Sequence, residues 1–596
     1  MTLTGTGGES GDAKRVTARP ERDPGTLAAP EPQPAGPAGP EPKPAAAEPA
    51  PAAPQPALTA QEPEPALTAP EPESAAPEPE PAAPAGPATA PARVRLPVAL
   101  ALAVALAGGL ALAAAFPPVG IWPLAPAGPA LLAVALWRRG LGASLLTGLV
   151  FGLAFFVPLL SWLLNVAWYA WLALAASEAV IFAVLAVGQR VLLGLRAWPL
   201  AVAGWWVCAE ALRARWPYAF PWGRLAMSQA GTPAAPWAAI GGAPLLTFVV
   251  ALAGATLAWA LLIPGRRRAM PWLVVAAAVG LALAGSLLPV DRQAPGTPTA
   301  TVAAVQGNVP HARNLPDLLR ASTVTTNHVA ATERLAAQVR SGARPAPDLV
   351  IWPENAADLD PRLYPQVYAR ISAAVNAINR PVLVGTLLAD PVRNASQLWL
   401  PGRGPVQTYV KRQLVPFGEY IPFRGLLKHI TSLVNLQPQN FTAGHRAVVF
   451  RAGKIRLGDV ICYEIGFDHL VSSEVNAGAN LLAMQTNDAT FEVDGQRGET
   501  LQQLAMARIR AVESNRAVVV ASTTGVSAII APDGRLLAHS GTWRRAVLVA
   551  QVPLVSQRTL ADRLGAWPEA TIVALTLLAF AWAATASLRR RRAAAS

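Results

Sequence analysis

Cys462 is one of two cysteines in the chain and the only one outside its apolar runs. It ends the apolar stretch GDVIC, which has a strand pattern, and polar Tyr463 and Glu464 follow. Reacting groups gather at strand ends in α/β sheets. A cysteine there is a nucleophile only as thiolate, which needs a base and a cation close by. The competing reading is a small buried hydrophobe. Two residues offer the missing roles. Glu354 closes the run DLVIWPE, where an acid has poor structural reason to follow an apolar strand; a helix-capping acid is the alternative. Lys411 lies in VQTYVKRQLVPFGEY, and alternation puts Tyr409 and Lys411 on one strand face and Val410 on the other. Its alternative is a solvated strand lysine. Glu419 follows eight residues later, after a Pro-Phe-Gly turn. The other cysteine, Cys208, sits in an apolar run, which excludes a disulfide framework and a Cys-rich metal site. Six scattered histidines form no HxxxH or HExxH pair, so neither metal nor cofactor is expected.

The elements that must position these groups lie between residues 298 and 555. Strands are expected at 298–307, 348–355, 381–389, 406–415, 455–464, 480–486, 516–524 and 545–553, and helices at 317–340, 364–379 and 499–514. Such alternation specifies a layered α/β domain.

The rest of the chain is unlike this domain. Hydrophobic residues make up 53% of the whole and charged residues only 14%, too apolar for a wholly soluble protein. Seven membrane spans are expected in 96–289: about 96–116, 119–137, 141–164, 168–188, 191–212, 236–263 and 270–289. Pro123, Pro126 and Pro129 interrupt the second. An eighth span, about 566–587, precedes a basic end at 588–596. With Arg93 and Arg95 placed in the cytoplasm, alternation puts Arg138, Arg139, Arg190, Arg196, Arg266, Arg267, Arg268 and the run Arg589 to Arg592 there too. This satisfies the positive-inside rule and leaves the α/β domain outside the cytoplasm. The exceptions are Arg213, Arg215 and Arg224, in a loop rich in aromatics that includes Phe220 and Trp222. That loop reads either as an interfacial belt or as the wall of a lipid-access site. The basic balance of residues 93–596 follows from topology, so no nucleic-acid partner is expected. Residues 1–92 hold 23 of the 58 prolines and repeat units such as APEPEPAAPAGP, which reads as a disordered cytoplasmic tail.

WPEN, YVKRQLVPFGEYIP and GDVICYEIGF resemble the three catalytic segments of the nitrilase (carbon–nitrogen hydrolase) superfamily, with its Glu-Lys-Cys triad. They stand in the right order, and the triad positions are spaced 57 and 51 residues apart. TNDATF, the helix carrying Arg508, Arg510 and Glu513, and TTGVSAIIAPDGR resemble its later part. A nitrilase-like domain between seven spans and one is similar to the apolipoprotein N-acyltransferase family, as are VQGNVP, FPWGRLAMSQ and LVPFGEYIP. The resemblance implies a multi-pass α-helical membrane domain plus an αββα sandwich on the extracytoplasmic face of a bacterial inner membrane, as a monomer. It implies N-acylation of the α-amino group of a lipoprotein's diacylglyceryl-cysteine. The donor would be a phospholipid and the intermediate a thioester on Cys462. Glu354 would be the general base, Lys411 the oxyanion cation and Glu419 its orienting partner. Tyr463 and Glu464 would shape the pocket or a covering loop. Phe220, Trp222, Asn487 and Phe491 would serve lipid access. Two departures bear on substrate preference. Asn314 and Leu315 stand where the family often has Trp, and the familiar NDAWFG reads Asn487-Asp488-Ala489-Thr490-Phe491-Glu492.

Two other readings compete. A membrane-anchored amidase or nitrilase acting on a soluble amide needs one anchor and leaves the remaining spans without a role. A non-enzymatic lipid receptor or transporter needs charges along an intramembrane path. Glu178 and Glu210 are the only acids in the seven N-terminal spans.

Overall fold

Apolar helices come first in the chain. The structure, a computed structural model, describes residues 96–262, 269–290, 295–310, 317–429, 432–437, 439–492 and 495–593. The tail 1–92, Arg93, Arg95, Arg266, Arg267, Arg268, Asn314 and Leu315 lie outside the described residues. Helices α1 (Val98–Ala115), α2 (Ala127–Leu136), α3 (Leu141–Leu159), α4 (Trp168–Leu192), α5 (Trp198–Arg213), α6 (Ala238–Leu262) and α7 (Ala269–Leu283) fall in the seven apolar runs. Not all are long. Among the described residues six helical stretches are long and apolar enough to cross a membrane: 98–115, 141–159, 168–192, 235–262, 269–287 and 567–590. The second expected span is instead a short 3-10 turn, Trp122–Leu124, followed by a ten-residue helix. Proline lacks the N–H that a continuous helix needs there. The fifth starts at Trp198 rather than near 191, with a proline in its first turn. Helices α3 and α4 touch through small residues. A Cβ on Gly148 would lie 2.7 Å from the Phe182 carbonyl oxygen, and one on Gly152 would lie 2.6 Å from the Ala179 Cα. Close backbone approach of this kind drives packing where lipid removes the hydrophobic contrast.

The α/β part has two six-stranded sheets. Its strands are β1 (Thr299–Gln306), β2 (Leu349–Ile351), β3 (Val382–Leu388), β4 (Arg393–Leu400), β5 (Gly404–Val410), β6 (Val449–Ala452), β7 (Ile455–Ile461), β8 (Leu481–Thr486), β9 (Val518–Ser522), β10 (Ala528–Ile530), β11 (Leu536–His539) and β12 (Ala546–Pro553). Their order is β12-β1-β2-β3-β4-β5 in one sheet and β11-β10-β9-β8-β7-β6 in the other. The central trios β1-β2-β3 and β7-β8-β9 are parallel and the outer pairs antiparallel. Val302, Ile351, Leu383 and Leu398 of the first sheet meet Phe450, Leu457, Leu481 and Val519 of the second in one core. Helices α8 (Asp317–Arg340) and α9 (Pro365–Ile378) cover the first sheet. After the single turn α10 (Arg424–Leu427), helices α11 (Asp468–Asn476) and α12 (Gly498–Ser514) cover the second. The result is an αββα sandwich. The short α13 (Leu560–Leu564) then leads into α14 (Trp567–Ala593).

The core under α12 runs without a break into the membrane helices. Leu504, Ala507 and Ile509 share one cluster with Phe155, Trp222 and Ala243. The sandwich and the helices belong to one compact unit.

Strand β4 has no counterpart in the expected pattern. Its sequence RNASQLWL carries Asn394, Ser396 and Gln397, yet all three are buried. The strand reads as polar because Asn394 and Ser396 serve buried hydrogen bonds instead of packing.

Behind β1, His328 of α8 is fully buried. Its Nε2 lies 3.1 Å from the Gly307 backbone N–H, which donates to it, so Nδ1–H donates to the Val324 carbonyl at 2.8 Å. Burial holds this imidazole neutral and lowers its pKa from 6.5 to about 4. The unfolded chain therefore takes up a proton near pH 6.5, whereas the folded chain waits until about pH 4. In that window the unfolded state binds more protons, so stability falls as pH drops. Melting temperature in detergent should decline from pH 6.5 to 4, and a non-titrating His328→Gln variant should show a shallower decline.

Candidate active site

Three strand ends deliver the chemistry. After β2, the turn Trp352-Pro353 presents Glu354; Lys411 stands one residue past β5; Cys462 stands one residue past β7. The strands are shorter than the sequence pattern suggests, and each chemical residue lies just beyond its strand. Cys462 has φ +52° and opens a 3-10 turn, Cys462–Gly466. A non-glycine residue in this left-handed region is uncommon and costs of order 1–3 kcal/mol, which is tolerated where a side chain must be aimed.

The Lys411 ammonium donates to Glu354 Oε1 at 3.0 Å and to Glu419 Oε1 at 3.0 Å. Lys411 is 1% exposed, so water does not compete for its protons. Asn394 of β4 donates through Nδ2 to the same two oxygens, at 2.6 and 2.8 Å. The second Glu354 oxygen accepts from the Asn487 backbone N–H at 3.0 Å, and the second Glu419 oxygen from Val415 N–H at 2.7 Å. Burial pulls the Lys411 pKa down, but the charges of Glu354, Glu419 and Cys462 more than offset it and leave the ammonium favoured. Burial raises Glu354 above the ordinary carboxylate range, with Lys411 opposing and Glu419 adding to the rise. Burial and the Glu354 charge also raise the Cys462 thiol well above its usual value, and Lys411 counteracts in part. The resting sulfur is thus a neutral thiol beside a carboxyl whose proton affinity is already raised.

Asn394 escaped the sequence reading because it lies on the polar-looking β4. Its only signal is an asparagine alternating with Ser396, and that pattern alone does not point to a carboxylate pair.

Several expected site residues have other partners. Glu464 is buried and accepts from the backbone N–H groups of Ile461, Arg412 and Gln413 at 2.7, 2.6 and 3.1 Å, and from the Tyr409 hydroxyl at 2.8 Å. It ties the end of β5 to the turn after β7, which holds Lys411 and Cys462 in register. Asn487, expected on the lipid path, fastens Glu354 through its backbone N–H, and its Oδ1 accepts from the Thr523 hydroxyl at 2.7 Å. Phe491 packs edge-on against Trp162 with ring centroids 5.2 Å apart. Thr490 is exposed, and the Glu492 side chain is buried with its pKa raised by burial to about 9.

Tyr463 stacks on Trp222 at 5.6 Å and on Phe220 at 6.5 Å, and its hydroxyl donates to the Ala219 carbonyl at 2.6 Å. Trp162 and Trp222 both donate from Nε1 to Gln502 Oε1, at 3.3 and 3.0 Å. Phe220 and Trp222 are buried, so they form no interfacial belt at headgroup level. They lie under the residue that follows Cys462.

The three arginines that broke the charge pattern of this loop are paired. Buried Arg213 pairs with Glu178 and donates to the Trp222 carbonyl at 2.5 Å. Buried Arg224 donates to Asp468 Oδ1 at 2.7 Å and pairs with Glu210 at 3.5 Å. Arg215 pairs with Glu569. Glu178 and Glu210 thus hold the loop and form no ion path.

The αββα sandwich with glutamate, lysine and cysteine at its strand ends defines a carbon–nitrogen hydrolase domain, here joined to membrane helices. The carbon-nitrogen hydrolase family model matches residues 301–562, and the apolipoprotein N-acyltransferase N-terminal domain model matches 108–256. The chain is 38% identical over 503 residues to the apolipoprotein N-acyltransferase of Mycolicibacterium smegmatis, covering 79% of this chain and 83% of that one. It is 32% identical over 472 residues to that of Azotobacter vinelandii, covering 76% and 81%. An amidase from Nesterenkonia sp. superposes with a TM-score of 0.33 and 16% identity, over 43% of this chain and 91% of that one. The chain belongs to the apolipoprotein N-acyltransferase family.

Two predictions come from this geometry. A Cβ on Gly385 would lie 2.2 Å from the Pro353 carbonyl oxygen and 2.8 Å from the Glu354 Cα. Gly385→Ala should therefore displace Glu354 and lower the acyl-transfer rate by up to about 100-fold in a steady-state assay. Glu178→Leu leaves Arg213 buried and uncompensated, which should cost about 3–5 kcal/mol; adding Arg213→Met should recover most of that loss in thermal melts.

Proposed function

We propose that the chain acylates the α-amino group of the diacylglyceryl-cysteine at the start of lipoproteins, taking the acyl group from a phospholipid. The observation that carries this reading is the buried Lys411 ammonium held between Glu354 and Glu419, with Cys462 in electrostatic reach of it.

Glu354 takes the proton of the Cys462 thiol. The thiolate attacks the ester carbonyl carbon of the phospholipid. Lys411 faces the oxyanion that develops, and one such donor is worth about 3–4 kcal/mol. The C–O bond breaks, Glu354 returns the proton to the departing alkoxide, and lysophospholipid leaves. The acyl chain remains on Cys462 as a thioester. The amine of the second substrate attacks that carbonyl and gives a proton to Glu354. The C–S bond breaks, an amide forms, and the sulfur takes the proton back.

The membrane helices suit this chemistry. Both substrates carry long chains, and each CH₂ buried in lipid is worth about 0.8 kcal/mol, so neither leaves the bilayer readily. A sandwich whose core is continuous with apolar helices meets them in place. Cys462 is buried, which keeps water from the thioester. A soluble amide would need none of these helices. In this reading the sandwich lies on the extracytoplasmic face of the inner membrane, and Phe220, Trp222 and Phe491 border the path by which lipid reaches the sulfur.

Intact mass spectrometry tests the proposal. Purified protein incubated with phospholipid alone should gain one acyl group, mapped to Cys462. Cys462→Ala should gain none, and Glu354→Gln should lose at least about 100-fold in rate. An unmodified wild-type protein that still acylates a lipoprotein peptide would overturn the thioester route.

A further inference from the structure

Lys411 and Glu354 approach Cys462 from the first sheet. A different residue approaches it from α12. Gln503 is 2% exposed, and its Nε2 lies 3.5 Å from Cys462 Sγ, an N–H···S contact. The amide is held at both ends. Its Oε1 accepts from the Thr486 hydroxyl at 2.9 Å, and Nε2 donates to Glu499 Oε1 one helical turn away. Thr486 ends β8, beside the strand that carries Cys462, and its hydroxyl also lies 2.9 Å from Asp488 Oδ1. Glu499 is itself buried, and burial next to Asp488 raises its pKa well above the ordinary carboxylate value. The glutamine is therefore fixed from the strand side and the helix side, with an N–H directed at the sulfur.

We propose that Gln503 is a catalytic residue of the acyl transfer, binding the Cys462 sulfur through its amide N–H in both half-reactions. This rests on the reading of Cys462 as the nucleophile. In the first half-reaction the S–H proton goes to Glu354, and the N–H bond to sulfur strengthens as negative charge appears there. In the second, the electron pair of the breaking C–S bond returns to sulfur, and the same N–H receives it. Lys411 cannot serve the carbonyl oxygen and the sulfur equally at once, whereas a neutral amide on the opposite side leaves the ammonium free for the oxygen. A neutral donor also suits the place: a second cation there would pair with Glu499 and Asp488, and an anion would oppose the thiolate.

The test reads the sulfur directly. Full-length protein in detergent is alkylated with iodoacetamide from pH 6 to 11, and the rate is followed on the peptide containing Cys462, apart from Cys208. Gln503→Met keeps the length and removes the donor; Gln503→Glu keeps the shape and adds a charge. The alkylation midpoint should rise by about one pH unit in Gln503→Met and further in Gln503→Glu. Acyl-enzyme formation from phospholipid and its discharge by a lipoprotein peptide should both slow by about tenfold in Gln503→Met. Where either variant melts early, Gln503→Asn, which draws the amide back from the sulfur, should shift the midpoint in the same direction by a smaller amount. Midpoints matching wild type overturn the role of Gln503 even when wild type forms the acyl-enzyme. A wild type that forms no acyl-enzyme overturns the reading of Cys462 instead.

Discussion

A lysine ammonium buried between two carboxylates sets the terms for everything around it. Removing a charge from water costs several kcal/mol, and only close, well-aligned partners repay that cost. Lys411 has them in Glu354 and Glu419, and Asn394 bridges the same two oxygens. Each of these groups comes from a different stretch of chain: the turn after β2, strand β4, the end of β5 and the loop beyond it. The ammonium can stay charged only if all of them hold their places. The same requirement keeps Glu354 a strong base, because its proton affinity reflects burial, the lysine and the second acid together.

The supports of that cluster are largely backbone groups. Glu464 collects three N–H donors around the ends of β5 and β7, and Glu354 accepts from Asn487 N–H. Backbone donors are fixed by the sheets and cannot turn away, which is the physical content of preorganisation. Between the sheets, Ser396 bridges Asp459 and Gln485, so β4 is tied to the second sheet across the sandwich.

The membrane part is built into the same arrangement. Arg213 with Glu178, and Arg224 with Glu210 and Asp468, pin the loop whose Trp222 and Phe220 stack on Tyr463. Arg510 of α12 joins Asp468 of α11 and Glu513 of α12, and through the Arg224–Asp468 pair the ionic network crosses from the helices to the sandwich. Removing one member of such a pair strands a charge in a low dielectric, and this makes the two parts act as a single folding unit.

Residue order alone carried the placement of Glu354, Lys411 and Cys462 at strand ends, the layered α/β class, and helices in all seven N-terminal apolar runs. These signals are local: an acid or a cysteine at the end of an apolar strand, and unbroken apolar runs bounded by arginine. Span lengths were less legible, since Pro123, Pro126 and Pro129 shorten a run that composition counts as whole. Strand β4 was hidden because its polar residues point into a buried network. The loop arginines looked like a departure from the topology rule until Glu178, Glu210 and Asp468 were seen against them. Asn394 and Gln503 had no signature that pointed to a role. Their roles depend on which atoms approach within hydrogen-bond distance across separate elements, and that distance exists only after two sheets and a helix have packed.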